Sequence, residues 1–465
     1  MKTVSVVLSV LLLASFVPAQ QRWTKTFGGS ADEFTCYVLQ TADGGYLVSG
    51  RTASFGAGDN DLYLVKTDAS GAMVWSKTYG TSGDERDAVV QPTSDGGYVI
   101  AAVSLVDSLG DIWLIKTDAN GDSAWSRKYH GANDHMGYVA VQTLDGGYII
   151  SGNTNSRGAG SYDIYLIKTD SLGDTLWTRT CGGADYESGW AQPTAGGGYI
   201  IWGFTSSFGA GSTDVWILKT NSSGDTLWTR TYGGTGRDEG AQLQPTSDGG
   251  YVVVAYTWSR GAGQSDVWLI KTSPSGDTLW TRTFGGTNYD EAYSIAQTAD
   301  DGYIITGQTQ SYGAGLEDIW LIKTSPTGDT VWTRTYGGTG SDMGMCVQQT
   351  TDGGYIVGGL TNSFGAGGND IYLIKTDANG SIGVEEPAGP KPTLRGQGLE
   401  ATPNPFISHA RIPGHEAEVF DLYDVSGKSL GACRGDRVGE RLSPGVYFIS
   451  PEGAHNGSVR IVKVR

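Results

Sequence analysis

One feature constrains the chain more than any other: a unit of about 52 residues recurs seven times. Three markers keep the same phase in every copy, namely a Trp, a Gly-Tyr pair and an Asp that precedes an apolar run. The tryptophans are Trp23, Trp75, Trp125, Trp177, Trp228, Trp280 and Trp332. A period of this length indicates a repeat architecture, in which each copy buries its apolar surface against its neighbours.

The sixth copy shows the internal pattern of a unit. Residues 290–298, 303–308, 318–324 and 330–336 have strand character, and Gly- and Asp-rich turns separate them. The second and third strands are apolar at consecutive positions, so both of their faces need cover. Sheets that pack face to face around an axis provide that cover. The sequence therefore predicts an all-β fold: a seven-bladed β-propeller of four-stranded antiparallel blades, followed by a small C-terminal β-sandwich.

The phase of the repeats predicts how the ring closes. The chain enters the repeats at residues 23–27 (WTKTF), which match a fourth strand. The last copy ends with residues 371–376 (IYLIKT) and supplies no fourth strand of its own. We therefore expect the N-terminal strand to complete the seventh blade.

Composition changes mark the domain boundaries. Residues 1–19 have a signal-peptide pattern, with Lys2, a short apolar run and small residues up to Ala19. The propeller is predicted over 20–383, a Pro- and Gly-rich linker over 384–398, and a C-terminal β-domain over 399–465. No further stretch has the length and apolarity of a transmembrane helix. These features predict a secreted protein.

The last domain resembles the type A C-terminal sorting domain of bacterial type IX secretion cargo. The motifs are ATPNPF (401–406), VFDLYDVSGKSL (419–430) and LSPGVYFI (442–449), followed by an apolar strand. An immunoglobulin-like domain of flagellar hook-capping proteins shares much of this pattern, so a plain β-sandwich is the alternative. The repeats are also similar to bacterial surface propellers with Asp-Gly-Gly-Tyr and Gly-Ala-Gly motifs. The resemblance implies the secretion machinery as a partner, and export followed by cleavage or surface attachment.

Charge and cysteines narrow the function classes. The formal net charge is −17, which disfavours nucleic acid as a partner. Cys36, Cys181, Cys346 and Cys433 show no metal-binding spacing, and free thiols are the expected state. A Cys36–Cys346 disulfide between the first and last copies is compatible with export. No motif for a metal, a nucleotide or another cofactor is present.

Departures from the repeat give the candidate ligand-binding residues. Trp258 replaces a small or polar residue in a long loop, where an indole can stack on a sugar. Trp190 lies on a first strand that faces the propeller axis, and Tyr186 lies where the fourth copy has lost a residue. His130 and His135 form a pair in the third copy, and without a third ligand they are expected to be solvated loop residues.

Two recurring charges have structural interpretations. A ring of acids precedes or begins the first strands, at Asp32, Asp84, Asp134, Asp185, Asp238, Asp290 and Asp342. Sevenfold recurrence favours caps of backbone N–H groups over a cation site or a carboxylate pair for glycoside hydrolysis. The Lys that ends each third strand is expected to pair with a nearby carboxylate.

The sequence favours a non-catalytic binding or adhesion module displayed outside the cell, with a glycan or a surface protein as its ligand. The alternative is a secreted, endoglucanase-like hydrolase that uses carboxylates on the face with the longer loops. A structural envelope protein is a third interpretation. No catalytic residue is assigned.

Overall fold

The computed structural model describes residues 22–106, 109–131 and 135–382, and, in the C-terminal part, 419–424, 429–434, 436–438, 442–443, 445–451 and 459–463. Within these residues every regular element is a β-strand. The chain divides into two compact units, Met1–Lys391 and Pro392–Arg465. The expected signal peptide, the linker and the segment 401–406 lie outside the described residues.

Seven four-stranded antiparallel sheets follow one another in the first unit, and we number them blades 1 to 7 in chain order. The strands are β1 (Trp23–Phe27); β2 (Glu33–Gln40), β3 (Tyr46–Thr52), β4 (Asp61–Thr67) and β5 (Met73–Tyr79) in blade 1; β6 (Asp84–Pro92), β7 (Tyr98–Val106), β8 (Leu109–Thr117) and β9 (Ser123–Tyr129) in blade 2; β10 (His135–Gln142), β11 (Tyr148–Thr154), β12 (Asp163–Thr169) and β13 (Thr175–Cys181) in blade 3; β14 (Glu187–Pro193), β15 (Tyr199–Thr205), β16 (Asp214–Thr220) and β17 (Thr226–Tyr232) in blade 4; β18 (Asp238–Pro245), β19 (Tyr251–Thr257), β20 (Asp266–Thr272) and β21 (Thr278–Phe284) in blade 5; β22 (Asp290–Gln297), β23 (Tyr303–Thr309), β24 (Asp318–Thr324) and β25 (Thr330–Tyr336) in blade 6; and β26 (Asp342–Gln349), β27 (Tyr355–Thr361) and β28 (Asp370–Thr376) in blade 7. This arrangement confirms the predicted seven-bladed propeller.

The N-terminal strand closes the ring as predicted. Strand β1 pairs antiparallel with β28, with Trp23 opposite Lys375 and Phe27 opposite Ile371. The closing sheet therefore has the order β1-β28-β27-β26, and its outer strand comes from the opposite end of the propeller sequence. Backbone hydrogen bonds of this pairing hold the first and last repeats together.

The apolar middle strands form the core between blades. All residues of β12, β20 and β24 are buried, on both faces of their sheets. One core cluster, for example, joins Ile200 and Val215 of blade 4 to Val253 and Ile270 of blade 5. Each sheet is thus covered by its neighbours, which explains why the second and third strands lack the polar alternation of a surface strand.

The recurring Trp and Gly are explained by one contact between adjacent blades. Trp75, on the outer strand of blade 1, packs over the turn between the third and fourth strands of blade 2. Gly121 of that turn has φ of 78°, and a Cβ there would lie 2.8 Å from the Trp75 ring. The hydroxyl of Tyr79 also donates to the Gly121 carbonyl. Only glycine fits both the backbone conformation and the close ring.

The Lys that ends the third strand pairs with the Asp of the turn between the first and second strands, as expected. The pairs are Lys66–Asp43, Lys116–Asp95, Lys168–Asp145, Lys271–Asp248, Lys323–Asp300 and Lys375–Asp352. Blade 4 departs from this rule because Gly196 occupies the Asp position. There the ammonium group of Lys219 lies 5.8 Å from the ring centroid of Tyr251 in blade 5.

Ion pairs also connect the outer strand of one blade to the next blade. They are Lys77–Asp122, Arg127–Asp174, Arg179–Asp225, Arg230–Asp277 and Arg282–Asp329. At the two seams of blade 7, the acidic position holds Ser381 and Ala72. Blade 7, the one that closes the ring, therefore lacks this ion pair on both sides and depends more on apolar packing.

The second unit contains one sheet within its described residues. Its strands are β29 (Val419–Asp424), β30 (Ser429–Arg434), β31 (Gly445–Pro451) and β32 (Val459–Lys463), in the order β30-β29-β31-β32. Phe420, Leu422, Val438 and Ile449 form its apolar core. Strands β29 and β31 begin in the motif segments 419–430 and 442–449, and β32 is the apolar strand that follows them.

Candidate functional site

The first strands of the blades line a central channel. A pocket of about 350 Å³ lies in this channel, and residues from every blade form its wall. Blades 1 to 7 contribute, in that order, Tyr37, Val89, Val139, Trp190, Gln242, Tyr293 and Cys346 to the lining of the pocket. The volume lies in the range of small-molecule sites.

Aromatic side chains are concentrated on the part of the wall contributed by blades 4 to 6. Trp190 and Trp202 are cross-strand partners in blade 4, and both line the pocket with Phe204. Trp190 packs against Tyr138 of blade 3, with 5.4 Å between ring centroids. Tyr186 stacks on Phe204 at 5.7 Å with an interplanar angle of 21°. In blades 5 and 6, Tyr256 and Tyr293 also line the pocket, with 6.5 Å between their ring centroids.

Amide side chains supply most of the polar groups of the same wall. Gln91, Gln192, Gln242 and Gln244 line the pocket. The Gln242 Oε1 atom accepts a hydrogen bond from the Ile295 N–H at 2.7 Å, which ties blade 5 to blade 6. The Nε2 atom of Gln192 is buried and finds no acceptor within the part of the chain that the structure describes. A ligand with hydroxyl or carbonyl oxygens can satisfy that donor.

A charged network borders the pocket on blade 5. The Glu239 carboxylate is 5% exposed and accepts bonds from Arg237 Nε and from the Tyr256 hydroxyl, each at 2.5 Å. Burial, followed by the field of Glu239, raises the pKa of Tyr256 well above its usual value, so the phenol remains a donor. Sequence inspection missed this group, although Glu239 follows one of the recurrent acids.

Blade 2 contributes an unusual carboxyl group. Asp87 has φ of 59° in an irregular stretch of β6, where pairing shifts between Arg86 and Val89. Its side chain reaches solvent, yet desolvation by the surrounding protein raises its pKa, and Arg51 and Arg86 counteract part of this effect. A strained, non-glycine residue of this kind is a mark of functional sites. The sequence gives no signal for it.

The predicted site residues fall into two groups. Trp190 lines the channel pocket, and Tyr186 contacts the pocket through Phe204. Trp258 is half-buried: its ring meets Tyr256 edge-on at 5.6 Å, and the Arg237 guanidinium lies 5.3 Å from the ring centroid. These three residues therefore surround the same part of the channel. The two histidines lie apart from it: His130 directly follows β9 of blade 2, and His135 begins β10 of blade 3.

The two histidines occupy different positions. His130 pairs with an acid of blade 2, and His135 stands where other blades have an Asp or a Glu. The exposed His130 ring pairs with Asp111, Nδ1 to Oδ2 at 2.7 Å, in the blade that lacks a Gly-Ala-Gly loop. His135 is 1% exposed and occupies the capping position of blade 3, opposite Thr154. The expectation that both are solvated is therefore wrong for His135, since its ring is enclosed and packs against Tyr165.

The recurring acids cap backbone groups, but three blades use a different residue from the one expected. Asp238, Asp290 and Asp342 accept from the N–H of Gly234, Gly286 and Gly338. In blades 1, 2 and 4, Glu33, Glu85 and Glu187 make the equivalent bond. Asp32 instead binds Asn369 across the closing seam, and Asp84 binds Asn60. The position of Asp134 lies outside the described residues.

Metal, thiol and membrane features add no second site. No group of three or more His, Cys, Asp or Glu among the described side chains is arranged to bind a metal. The thiol of Cys346 is free, and burial raises its pKa to about 12. The side chain of Cys36 is outside the described part, so the Cys36–Cys346 disulfide stays an expectation. In the portion covered by the structure, no helix is long and apolar enough to cross a membrane.

Comparison with known proteins gives limited information. No family model matches the chain. A stretch of 272 residues is 23% identical to the regulatory protein FlaEY of Caulobacter vibrioides. This stretch covers 53% of this chain and 26% of that protein. The chain thus spans about a quarter of the length of this relative.

Solved structures with similar folds have diverse activities. They include a puromycin hydrolase, with a TM-score of 0.49 and 12% identity over 90% of this chain and 59% of that one. An ulvan lyase has a TM-score of 0.48 and 11% identity, covering 76% and 96%. The WD40 domain of Neurospora crassa Pan2 has a TM-score of 0.46 and 9% identity, over 74% of this chain and 89% of that domain. Likeness at this level carries no activity over to this chain.

Proposed function

We propose that the propeller is a non-catalytic glycan-binding module that works outside the cell, with the central pocket as its binding site. The observation that carries this proposal is the wall formed by Trp190, Trp202, Phe204 and Tyr256 beside glutamine amides. Aromatic faces stack on the apolar faces of sugar rings, and amides bond to hydroxyl groups.

The carboxylates support binding more than catalysis. Both oxygens of Glu239 are engaged, one by Arg237 and the other by Tyr256. Such a group is ill suited to transfer protons during turnover, because its partners fix it as an acceptor.

A secreted carbohydrate-active hydrolase is the second candidate, and one observation favours it. Asp87 is an exposed residue, yet desolvation raises the pKa of its carboxyl group, which suits a general acid. Release of reducing sugar from polysaccharides that is lost in Asp87→Asn would establish this alternative. Binding without such release supports the non-catalytic module.

Export by the C-terminal unit is part of the proposal. The resemblance of residues 399–465 to a sorting domain supports it, and so does the antiparallel sheet found there. Deleting these residues should leave the protein inside the producing cell, whereas the full chain should reach the medium or the surface. Equal release of both forms, measured by fractionation and immunoblotting, would argue against a sorting role.

A glycan screen of the full chain tests the binding proposal. Trp190→Ala should weaken binding of any captured glycan by about tenfold, since a stacked aromatic ring contributes about 0.5–1.5 kcal/mol beyond the area that it buries. Phe208→Ala is the matched control, because Phe208 is an exposed aromatic residue that packs on Trp216 in a long loop of the same blade. Trp258→Ala tests whether the ligand extends to blade 5. Equal losses in Trp190→Ala and Phe208→Ala would refute the channel as the site.

A further inference from the structure

A carboxylate at the edge of the pocket lacks the cationic partner that its counterpart possesses. Glu291 of blade 6 is half-buried and accepts bonds from the Tyr293 hydroxyl at 2.8 Å, Gln308 Nε2 at 3.1 Å and the Ser265 hydroxyl at 3.3 Å. All three donors are neutral. The bond from Tyr293, which lines the channel pocket, connects this carboxylate to the pocket wall.

The amide of Gln308 is left half satisfied at the same place. Gln308 is the cross-strand partner of Glu291 and is 8% exposed. Its Nε2 atom donates to Glu291, whereas its Oε1 atom is buried with no donor among the described residues. A buried acceptor without a donor costs free energy, and native proteins rarely leave one unless something else binds there. Two acceptors, one of them charged, therefore sit side by side.

In blade 5 the carboxylate equivalent to Glu291 has a cationic partner from the chain itself. Glu239 and Tyr256 are the cross-strand pair equivalent to Glu291 and Gln308. Arg237 binds Glu239 directly, and its positive charge also interacts with Glu291, where it would oppose a second cation. Because its guanidinium is already paired, its repulsion is reduced.

Aromatic rings complete the surroundings of the carboxylate. The rings of Tyr256 and Tyr293 are 6.5 Å apart and nearly perpendicular. Burial and the field of Glu291 raise the pKa of Tyr293 far above its usual value, so this ring remains a neutral phenol. Neutral aromatic rings beside a carboxylate are the surroundings that proteins use for ammonium groups.

We propose that Glu291 and Gln308 Oε1 recognise the ammonium group of an amino sugar whose ring occupies the aromatic pocket. This inference rests on the proposed function, and it specifies a glycan with free amines as the ligand class. The ammonium group donates to both acceptors and supplies the missing counterion of Glu291. The stacked rings of blade 4 make a pyranose a better occupant than a lysine side chain, which offers them no flat face.

Isothermal titration calorimetry on the full chain tests this inference with two oligosaccharides of equal length. One is a glucosamine oligomer with free amines and the other is its N-acetylated, neutral counterpart. We expect the free-amine oligomer to bind about tenfold more tightly or better, since a hydrogen bond to a charged group is worth a factor of this size. Glu291→Gln should abolish the preference for the free-amine oligomer. The control is Asp59→Asn, which removes one exposed charge from the loop between β3 and β4 in blade 1. This variant should retain the preference for the free-amine oligomer.

The outcomes separate this inference from the proposed function. Equal affinity for the two oligomers, or a preference that survives Glu291→Gln, would overturn the amine site while the glycan-binding module stands. Binding of a lysine-rich peptide but of neither oligomer would replace the sugar with a protein ligand. Failure of every glycan in the screen would overturn both proposals. Thermal unfolding of each variant verifies that it is folded.

Discussion

Substituting Trp23 should loosen the closure of the ring more than an equivalent substitution elsewhere. The Trp23 side chain is 7% exposed, and its contacts lie in blade 1, although its backbone belongs to blade 7. The indole meets Tyr46 at 5.6 Å, covers Gly71 and donates from Nε1 to the Ala69 carbonyl at 3.2 Å. Both the strand pairing and the contact across the seam therefore depend on β1.

The size of the effect follows from these contacts. Truncation of a buried Trp to Ala costs about 3–5 kcal/mol, and the lost hydrogen bond adds roughly 1 kcal/mol. The strand has five residues, and its Lys25 faces Ala72 where other blades place an acid, so it lacks the ion pair to the next blade. If the loss falls on local opening of β1, its amides should exchange about three to four orders of magnitude faster.

Hydrogen exchange with mass spectrometry measures this directly. Trp228→Ala is the matched control, because Trp228 packs on Gly276 in the same way but its strand is tethered at both ends. We expect a large acceleration confined to β1 in Trp23→Ala, and a smaller one in β17 for Trp228→Ala. Equal accelerations, or an unchanged β1, would refute the claim that Trp23 secures the seam.

Three further predictions concern the turns. Gly196→Asp should give Lys219 the carboxylate that other blades provide and raise the free energy of unfolding by up to about 1 kcal/mol in chemical denaturation; no gain would argue against the pairing rule. The pKa of Asp43 is lowered to about 2, chiefly by its lysine partner, so the folded state binds fewer protons than the unfolded chain. The stability from this group is complete above about pH 4 and is lost as pH falls towards 2, which melting curves across that range can verify or contradict. Gly121→Ala should lower the melting temperature more than Gly96→Ala, because both have positive φ but only the first meets a Trp ring; equal losses would refute the ring contact.

The fold could be predicted from the sequence because its information is repeated and local. The strand expected at residues 330–336 is Thr330–Tyr336 in the structure, and residues 23–27 do close the last blade. Turn glycines and apolar runs fix such elements within a few residues of sequence. Seven copies then remove most of the ambiguity that a single copy would leave.

The candidate site was harder to predict because it depends on register and on bulges. The sequence could not decide between Asp32 and Glu33 as the cap, since either carboxylate is adjacent to the strand start. Trp190 was identifiable as a departure from the repeat. Asp87 was not, because its positive φ arises from an irregular pairing that has no sequence signature. The pairing of Glu291 with Gln308 likewise required the strand register.

The central claim is that the channel pocket holds the ligand. A crystal structure of the full chain with a glycan taken from the screen tests it most directly. The account predicts electron density for a sugar ring stacked on Trp190 inside the channel. Density only at the outer edges of the blades, with an empty channel, would contradict it.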